Sequence, residues 1–316
     1  MATNVGETHD VVVVGGGAAG LSAALMLGRA RRSVVVVDDG KPRNRFAPHM
    51  HGLLSRDGMS PLELVERGRA EARRYGVEFV DGTVTAVEAV GGLGAEDGAP
   101  GFVVRGPRDL AARRVVVATG QVDELPRIPG VAELWGTGAV MCPYCDGWEV
   151  RDEPLAVIAT SPQSRNQAHL LRQWSSDLTV FGAAEAGIPA AELSLLEARG
   201  VRLAPPATGV RGSLGDIRVL TAGAEHRVAR VFLGARPRPS DGLLVALGCT
   251  TVDSPFGPVV GTDESGQTSV AGVWAIGNVA DSKALVPIAL GAGTHAATQV
   301  NISLLEDDIA RVSAAL

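Results

Sequence analysis

Two of the three cysteines in this 316-residue chain, Cys142 and Cys145, are separated only by Pro143 and Tyr144. With two residues between them, both sulfurs can lie over one turn at the start of a helix, close enough to form a reducible disulfide. Pro143 suits the first helical turn, where its missing N–H is not needed. Because a helix N-terminus stabilises a thiolate, we expect at least one sulfur to be reactive near neutral pH.

Asp146 follows the second cysteine directly, and its carboxyl group can exchange a proton with an outgoing sulfur. Two other interpretations of the cysteine pair are half of a zinc site and a structural disulfide. A zinc site needs four ligands, and the sequence offers no second CxxC motif or His pair at ligand spacing. A structural disulfide would be unusual in a chain that we expect to lack an export signal. Redox chemistry is therefore favoured, and no metal is expected.

Other side chains able to carry protons stand in the irregular segment 41–58, which could cover a bound cofactor. In this segment His51 is a candidate proton carrier and cofactor contact, and Arg45 is a candidate cofactor contact. His49 is a weaker candidate of the same kind. The sequence assigns no role to His295.

The elements that must position these residues follow from the apolar runs of the chain. The run 11–14 is typical of a strand buried on both faces of a parallel sheet; a helix-like segment, 18–31, and a second apolar strand, 34–37, follow. Between and after them stand the residues of a dinucleotide fingerprint, Gly15, Gly17, Gly20 and Asp38, with Asp39 as a competing candidate for the acid. In such a βαβ unit the glycines allow close approach of a pyrophosphate, and the acid binds a ribose hydroxyl.

A second unit of this kind is predicted after a break at 126–130, but without its nucleotide site. The strand 155–159, a helix and a second strand are βαβ in outline. The turn 160–166 between the first strand and the helix has no glycine, so side chains stand where a pyrophosphate must approach bare backbone. Residues 182–185, after the second strand, include no Arg or Lys to bind the 2′-phosphate of a nicotinamide cofactor.

Composition excludes other classes of partner. The net charge is −6, and we find no Lys/Arg cluster that could follow a phosphate backbone, so nucleic acid is not expected. The apolar run 11–28 is interrupted by glycines and preceded by Glu7 and Asp10 rather than by a basic region, which argues against a signal or membrane segment. We expect a cytoplasmic protein with no membrane partner. Cys249, in an apolar context, is expected to be a buried thiol.

Together these residues resemble the low-molecular-weight thioredoxin reductase family of FAD flavoproteins. The matching stretches are the glycine fingerprint with Asp38, the strand end 118–120 with Ile-Pro-Gly at 128–130, the turn 142–147, and 267–278. The resemblance covers nearly the whole chain in order. It implies an α/β fold of two Rossmann-like domains in three ββα layers, with FAD in the first domain, and a homodimer. The first domain would comprise 1–120 and 239–316, and the inserted second domain 121–238.

The resemblance also implies which residues hold FAD. They are Gly15, Gly17, Ala18, Ala19, Gly20, Asp38, Asp39, Arg45, His51, Val84, Ala118, Thr119, Gly120, Gly277, Asn278 and Val286.

Three departures from the family separate this sequence from ordinary reductases. The glycine turn and basic cluster of the NADPH site are missing, Asn278 replaces an aspartate, and Leu285-Val286 replaces Arg-Gln. The first departure is shared by the dithiol oxidases of gliotoxin and holomycin biosynthesis, a branch of the family that closes a disulfide in a small natural product. The chain looks closer to that branch, although Asp146 is the residue that the reductases carry.

The predicted function is therefore that of an FAD-dependent dithiol oxidase. By family analogy a substrate thiolate attacks Cys142, Cys145 passes the electrons on to FAD, and O2 is reduced to hydrogen peroxide. Asp146 and His51 would manage the protons. Trp148 has two interpretations, as part of a pocket for a small dithiol or as a packing residue. The alternatives are an NADPH- or ferredoxin-dependent thioredoxin-disulfide reductase and a non-catalytic flavin redox sensor.

Overall fold

The computed structural model describes residues 8–90, 101–255 and 257–316. Its contacts divide the chain into two compact units. The first unit comprises Met1–Arg43, Leu62–Val122 and Pro237–Leu316, and the second comprises Asn44–Pro61 and Asp123–Arg236. The predicted domain boundaries differ from this division chiefly at residues 44–61, which were expected in the first domain.

The strands and helices follow one another in the order that the apolar runs suggested, with several additions. The strands are β1 (Thr8–Val14), β2 (Val34–Asp38), β3 (Glu78–Asp81), β4 (Ala86–Val90), β5 (Gly101–Arg105), β6 (Leu110–Val117), β7 (Gln121–Glu124), β8 (Ala139–Val140), β9 (Leu155–Ile158), β10 (Leu178–Phe181), β11 (Arg202–Ala204), β12 (Gly209–Ser213), β13 (Asp216–Thr221), β14 (Ala224–Val228), β15 (Arg230–Leu233), β16 (Arg236–Pro239), β17 (Thr251–Val252), β18 (Val259–Val260) and β19 (Val273–Ala275). The helices are α1 (Ala18–Arg29), α2 (Pro61–Arg73), α3 (Val131–Leu134), α4 (Pro143–Asp146), α5 (Ser164–Leu171), α6 (Ala190–Ala198), α7 (Gly242–Ala246) and α8 (Val286–Ala314).

The first unit is built on a sheet in the order β3-β2-β1-β6-β5-β4, with β19 also paired to β6. The strands β3, β2, β1, β6 and β19 are parallel, whereas β4 and β5 join as an antiparallel hairpin. Residues 110–112 of β6 pair with β5, and residues 115–117 pair with β19. The glycines and acidic residues of 91–101 predict a surface hairpin loop, and this stretch lies almost wholly outside the described residues.

Both faces of this sheet are covered, which explains the unbroken valine runs of β1 and β2. Val11, Val13, Val34 and Val36 pack with α1 and α8. The alternate valines of the same strands pack in a second core on the opposite face, together with Leu244 of α7.

Helix α8 lies directly against α1. A side-chain carbon at Gly293 would overlap the carbonyl oxygen of Ala19, so only glycine allows this approach. The hydroxyl of Ser22 donates to the carbonyl of Leu290 at 2.7 Å. The sequence indicates a helix over 284–305; α8 begins at Val286 and continues beyond this range to Ala314.

Ion pairs with arginines of the first unit stabilise the C-terminal turns of α8. Arg113 and Arg114, both buried on β6, pair with Asp308 at 2.8 Å and Asp307 at 2.6 Å respectively. Arg32 pairs with the other oxygen of Asp308 at 2.8 Å.

The second unit is a parallel sheet in the order β11-β10-β9-β15-β8. Helices α5 and α6 pack on one face, and the antiparallel sheet β12-β13-β14 packs on the other. The predicted three-layer ββα arrangement is confirmed. The sequence predicted β9, α5 and β10, and the apolar run 231–234 also indicates the strand β15. It did not predict the strands of the antiparallel layer.

The segment 44–61 groups with the second unit because its side chains pack there. The side chain of Phe46 fills the space over Gly136, where any side-chain carbon would clash. The imidazole of His51 reaches Glu149. No helix among the described residues has the length and apolar character needed to cross a membrane.

Candidate active site

Cys142 and Cys145 form a disulfide with their Cα atoms 5.3 Å apart. Helix α4 is a single turn with Cys142 as its N-cap and Pro143 in its first position, as predicted. The backbone N–H of Cys145 donates to the sulfur of Cys142 at 3.2 Å. This hydrogen bond would stabilise the thiolate of Cys142 once the disulfide is opened.

The turn that carries the disulfide is fixed from two sides. A side-chain carbon at Gly147 would lie 2.6 Å from the carbonyl oxygen of Pro143 and 2.9 Å from the ring of Trp174, so this position requires glycine. The amide group of Gln167 donates to the carbonyl of Met141 at 2.7 Å. The position of the cysteine pair therefore depends on α5, which carries Gln167, and on the residues just after it.

Two aromatic side chains next to the disulfide are exposed within the structure. Tyr144 is 66% exposed and meets Trp174 edge to face, and Trp148 is 63% exposed with the guanidinium of Arg151 4.2 Å from its ring. Packing inside the second unit therefore does not account for Trp148, and its part in a substrate pocket stays a prediction.

Asp146 lies in a largely desolvated position beside Arg230, whose Nη1 is 3.4 Å from its Oδ1. Burial raises the pKa of Asp146 to about 6; Arg230 opposes this rise, Glu149 adds to it, and His51 opposes it. A carboxyl group with a pKa of about 6 is mostly ionised at neutral pH, yet it can take up and release a proton there.

His51 connects this region to two further carboxylates. Its Nδ1 is 3.3 Å from Asp57, and its Nε2 is 3.4 Å from Glu149. The sequence pointed to His51, but not to Asp57, Glu149 or Arg230. Of these, Arg230 left a sequence signal, because it is a charged residue at the start of the apolar run 230–233.

The glycine turn of the first unit has the geometry of a pyrophosphate site. Gly15 has a φ of +103°, and a side-chain carbon there or at Gly20 would overlap a backbone carbonyl oxygen. A side-chain carbon at Gly17 would instead meet open space. The N–H groups of residues 17–20 donate to no acceptor among the described residues, as expected for a helix start that binds phosphate.

Asp38, rather than Asp39, is placed at this turn. Its Oδ1 accepts a hydrogen bond from the N–H of Gly16 at 2.9 Å, and Arg69 lies 3.5 Å from its Oδ2. Asp39 is exposed and bonds to Lys41. The hydrogen bond from the N–H of Gly16 to Asp38 was not predicted from the sequence.

Gly277 and Asn278 lie near the same helix start. Gly277 has a φ of +71°, and a side-chain carbon on it would lie 2.9 Å from that of Ala19. The side-chain amide of Asn278 donates to the carbonyls of Asp281 and Ala284 at 2.9 and 3.0 Å. Asn278 therefore fixes the loop that leads into α8.

The other predicted cofactor residues of the first unit have the following places. Ala118 packs against the glycine turn, Thr119 donates its hydroxyl to a backbone carbonyl at 2.7 Å, Gly120 has a φ of +68°, Val84 is buried between β3 and β4, and Val286 is the first residue of α8. Their contacts with a cofactor stay predictions.

Arg45 and His51 are in the second unit, unlike the rest of the predicted cofactor residues. The guanidinium of Arg45 lies 4.1 Å from the ring centre of Phe46. His49 hydrogen-bonds the carbonyl of Gly58. Their roles toward a cofactor also stay predictions.

Cys249 is buried, as predicted, with its sulfur 3.4 Å from the hydroxyl of Thr268.

The corresponding turn of the second unit uses its own N–H donors. Thr160 donates to the hydroxyl of Ser164 at 3.1 Å, and Ser164 donates to the carbonyl of Ser161 at 3.0 Å. Asn166 donates to the carbonyl of Gln163 at 3.0 Å. This turn therefore offers a pyrophosphate far fewer backbone donors than the turn of the first unit.

A glycine-turn dinucleotide cradle and a CxxC disulfide in one chain are the combination found in disulfide reductases. Residues 9–293 match the family model described as pyridine nucleotide-disulphide oxidoreductase. The chain belongs to this family. Within the family its relatives are thioredoxin reductases by name, which confirms the predicted resemblance.

Two relatives match along almost the full length of both chains. "Thioredoxin reductase tcpT" of Claviceps purpurea is 31% identical over 94% of this chain and 95% of its own. "Thioredoxin reductase sirT" of Leptosphaeria maculans is 30% identical over 95% and 96%. A further relative, "Probable thioredoxin reductase" of Arthroderma benhamiae, is 34% identical over 55% of this chain, which spans only 43% of that longer protein.

Solved structures show the same fold. The crystal structure of HlmI has a TM-score of 0.91 and 46% identity, covering 98% of this chain and 97% of its own. An oxidoreductase from Agrobacterium tumefaciens has a TM-score of 0.85 and 36% identity, covering 95% of this chain and 99% of its own. Both matches extend over the two units and support the thioredoxin reductase-like fold.

Proposed function

We propose that this protein is an FAD-dependent oxidase that closes a disulfide in a small-molecule dithiol and reduces O2 to hydrogen peroxide. One observation carries the proposal. In the turn of the first unit, the N–H groups of 17–20 have no acceptor among the described residues, and there is open space at Gly17. In the turn of the second unit, the N–H groups of Thr160, Ser164 and Asn166 donate to protein acceptors. The chain is therefore expected to bind one nucleotide cofactor, and it also carries a complete cysteine pair.

FAD fits the first of these turns. Its pyrophosphate would accept hydrogen bonds from the N–H groups of 17–20, and the carboxylate of Asp38, next to this turn, would bind the ribose. When bound, FAD supplies the two-electron acceptor for the reduced cysteine pair and the route to O2.

The cysteines carry out thiol–disulfide exchange. A substrate thiolate bonds to the sulfur of Cys142, and the Cys142–Cys145 bond breaks with Cys145 leaving as a thiolate. The second substrate thiol then attacks the first substrate sulfur and displaces Cys142, so the substrate leaves as a disulfide. Two electrons pass from the substrate to the cysteine pair. The N–H of Cys145 stabilises the Cys142 thiolate that results.

Asp146 accepts the proton of the second substrate thiol as that sulfur becomes a nucleophile. It is the ionisable side chain next to Cys145 in sequence, and its pKa of about 6 lets the carboxylate act as a base at neutral pH. His51, between Glu149 and Asp57, would exchange this proton with solvent.

Exposed aromatic rings next to the disulfide support a small, partly apolar substrate. Tyr144 and Trp148 provide such surface, which small-molecule sites commonly use. We further propose, from the family resemblance, a homodimer. We also propose a cytoplasmic location, since only three cysteines in 316 residues suit a reducing compartment. Size-exclusion chromatography with light scattering would measure the dimer.

The test is anaerobic bleaching of the visible absorbance of the bound flavin. Dithiothreitol should bleach the purified holoprotein and NADPH should not, and admitting air should restore the absorbance with release of hydrogen peroxide. Bleaching without peroxide on reoxidation would contradict the oxidase. A protein that dithiothreitol cannot bleach would contradict the whole exchange.

An NADPH-dependent thioredoxin-disulfide reductase is the second candidate. Asp146 favours it, because the family's reductases carry aspartate after the CxxC motif, and the names of tcpT and sirT agree. Rapid bleaching by NADPH in the same experiment would establish this function. Bleaching by reduced ferredoxin would instead favour a ferredoxin-fed reductase.

A further inference from the structure

Arg230 is a buried cation at the start of a strand in the second unit. Its side chain is 10% exposed, and the three residues after it, Val231, Phe232 and Leu233, are fully buried. Its Nη1 is 3.4 Å from the carboxylate of Asp146. Its Nε is buried and has no hydrogen-bond partner among the described residues.

Packing alone is a poor reason for an arginine at this position. Removing a guanidinium from water is unfavourable, and a buried N–H without a partner adds to this cost. An apolar residue would extend the run of Val231 to Leu233 without either cost. The charge of Arg230 therefore needs an explanation outside packing.

The charged groups around Asp146 supply that explanation. Glu149 follows on the next turn and disfavours a second negative charge, whereas His51, from the segment 44–61, favours one when it is protonated. His51 in turn is shared with the carboxylates of Glu149 and Asp57. Arg230 is the one group in this set that stays positively charged throughout the neutral range.

We propose that Arg230 is a positioning residue that keeps Asp146 ionised beside the Cys142–Cys145 disulfide, ready to take a proton from the incoming dithiol. The inference rests on the proposed exchange. As the second substrate S–H bond breaks, its proton moves to Asp146 and its electron pair forms the new S–S bond. Cys142 leaves with the electrons of the bond that breaks.

The experiment measures how fast dithiothreitol fully reduces the disulfide in Arg230→Met and in the unmodified holoprotein from pH 5.5 to 9. Quenching with an alkylating agent and mass spectrometry reports the fraction in which both Cys142 and Cys145 are alkylated, which is the product of the second exchange, independently of O2. The ratio of the two rates cancels the ionisation of dithiothreitol itself. Because loss of the positive charge raises the pKa of Asp146, Arg230→Met should react about twofold to tenfold more slowly at pH 7, and the difference should disappear toward pH 9.

Several controls separate this role from a structural one. Arg230→Lys should restore the original pH profile, and Arg230→Gln should behave like Arg230→Met if the latter folds poorly. In an Asp146→Asn background, Arg230→Met should leave the profile unchanged. Arg227→Met, which removes an exposed arginine from the neighbouring strand β14, should match the unmodified protein.

A rate loss that is the same at every pH would overturn the inference and assign Arg230 to structure. Normal disulfide opening with no release of peroxide would instead contradict the oxidase function while leaving the role of Arg230 intact.

Discussion

At the scale of single residues, the two cysteines have different surroundings although they share one turn. Cys142 is the helix cap whose sulfur accepts an N–H hydrogen bond, so it is the better-stabilised thiolate and the better leaving group in the second exchange. The sulfur of Cys145 accepts no such hydrogen bond among the described residues, and in the proposed exchange it is the first sulfur to leave. Their serine variants should therefore fail at different steps.

We predict that Cys145→Ser, incubated with an oxidised substrate analogue that carries a disulfide, holds one analogue sulfur on Cys142 as a mixed disulfide while the other analogue sulfur leaves as a thiol. Dithiols should no longer bleach the flavin of this variant. Intact-protein mass spectrometry would detect the added substrate mass. Cys142→Ser should retain FAD and show no adduct from the same oxidised substrate analogue at the position of Cys142. Continued flavin bleaching in Cys145→Ser would contradict the relay.

Adding a single methyl group to the glycine fingerprint, at Gly17, would test whether FAD binds there. Gly17→Ala should leave the unfolding temperature of the apoprotein nearly unchanged, because the new carbon meets open space, but should lower FAD affinity at least about tenfold by occupying the pyrophosphate position. Fluorescence titration with FAD would measure this. Gly242→Ala, also in open space but at the start of α7, is the control and should bind FAD normally.

The residues of the site that lie close together in sequence could be predicted, and those brought together by folding could not. Cys142, Cys145 and Asp146 are adjacent, so spacing alone suggested their chemistry. Arg230 is 84 positions from Asp146, and only the parallel pairing of β15 within the sheet brings it there. A single charged residue in an apolar run is a visible signal, but it does not name its partner.

At the scale of elements, the position of α1 depends on how closely α8 packs against it. Gly293→Ala should force the helices apart, lower the unfolding temperature and weaken FAD binding, because Ala19 lies in the first turn of α1. Gly291→Ala, two residues earlier on the same helix, meets open space and should be stabilising by about 0.5 to 1 kcal/mol. Differential scanning fluorimetry with and without FAD compares them. Equal effects would contradict the close contact.

The ion pairs that hold the end of α8 should make stability depend on acid. Burial raises the pKa of Asp308, but hydrogen bonds from Arg32 and Arg113 lower it by more, so its folded pKa is below the ordinary 3.8. The stabilisation is therefore complete above about pH 4 and is lost as pH falls through the folded pKa. Asp308→Asn should cost about 1 to 2 kcal/mol at pH 7 and progressively less below pH 4, measured by urea unfolding. A difference that persists at pH 2 would contradict this source of stability.

Elements with a strong apolar period were predicted well, and the others were not. The valine runs of β1 and β2 are buried on both sides, so they indicate strands in almost any context. The strands β12 to β14 carry glycine, arginine and other polar residues on their exposed face, and their short apolar alternation gives a weak signal. The arginines of β6 were likewise unexpected, because their partners are in the last two turns of α8.

At the scale of the whole molecule, the order of units along the chain could be predicted, but the grouping of one connecting segment could not. The apolar runs and the family resemblance indicated a second unit inserted into the first. Residues 44–61 are almost entirely without regular secondary structure. They belong to the second unit because of contacts such as that of Phe46 with Gly136. Such contacts between distant irregular segments leave no local pattern.

The pairing of β19 with β6 fixes the order in which the protein can assemble during synthesis. The parallel sheet of the first unit is completed by β19 and covered by α8, both of which emerge from the ribosome after the entire second unit. A nascent chain stalled with residue 240 outside the exit tunnel should therefore contain a protease-resistant second unit and a protease-sensitive first unit. Release of the remaining residues should then protect the first unit as well; if that unit is already resistant in the stalled chain, translation does not set the order.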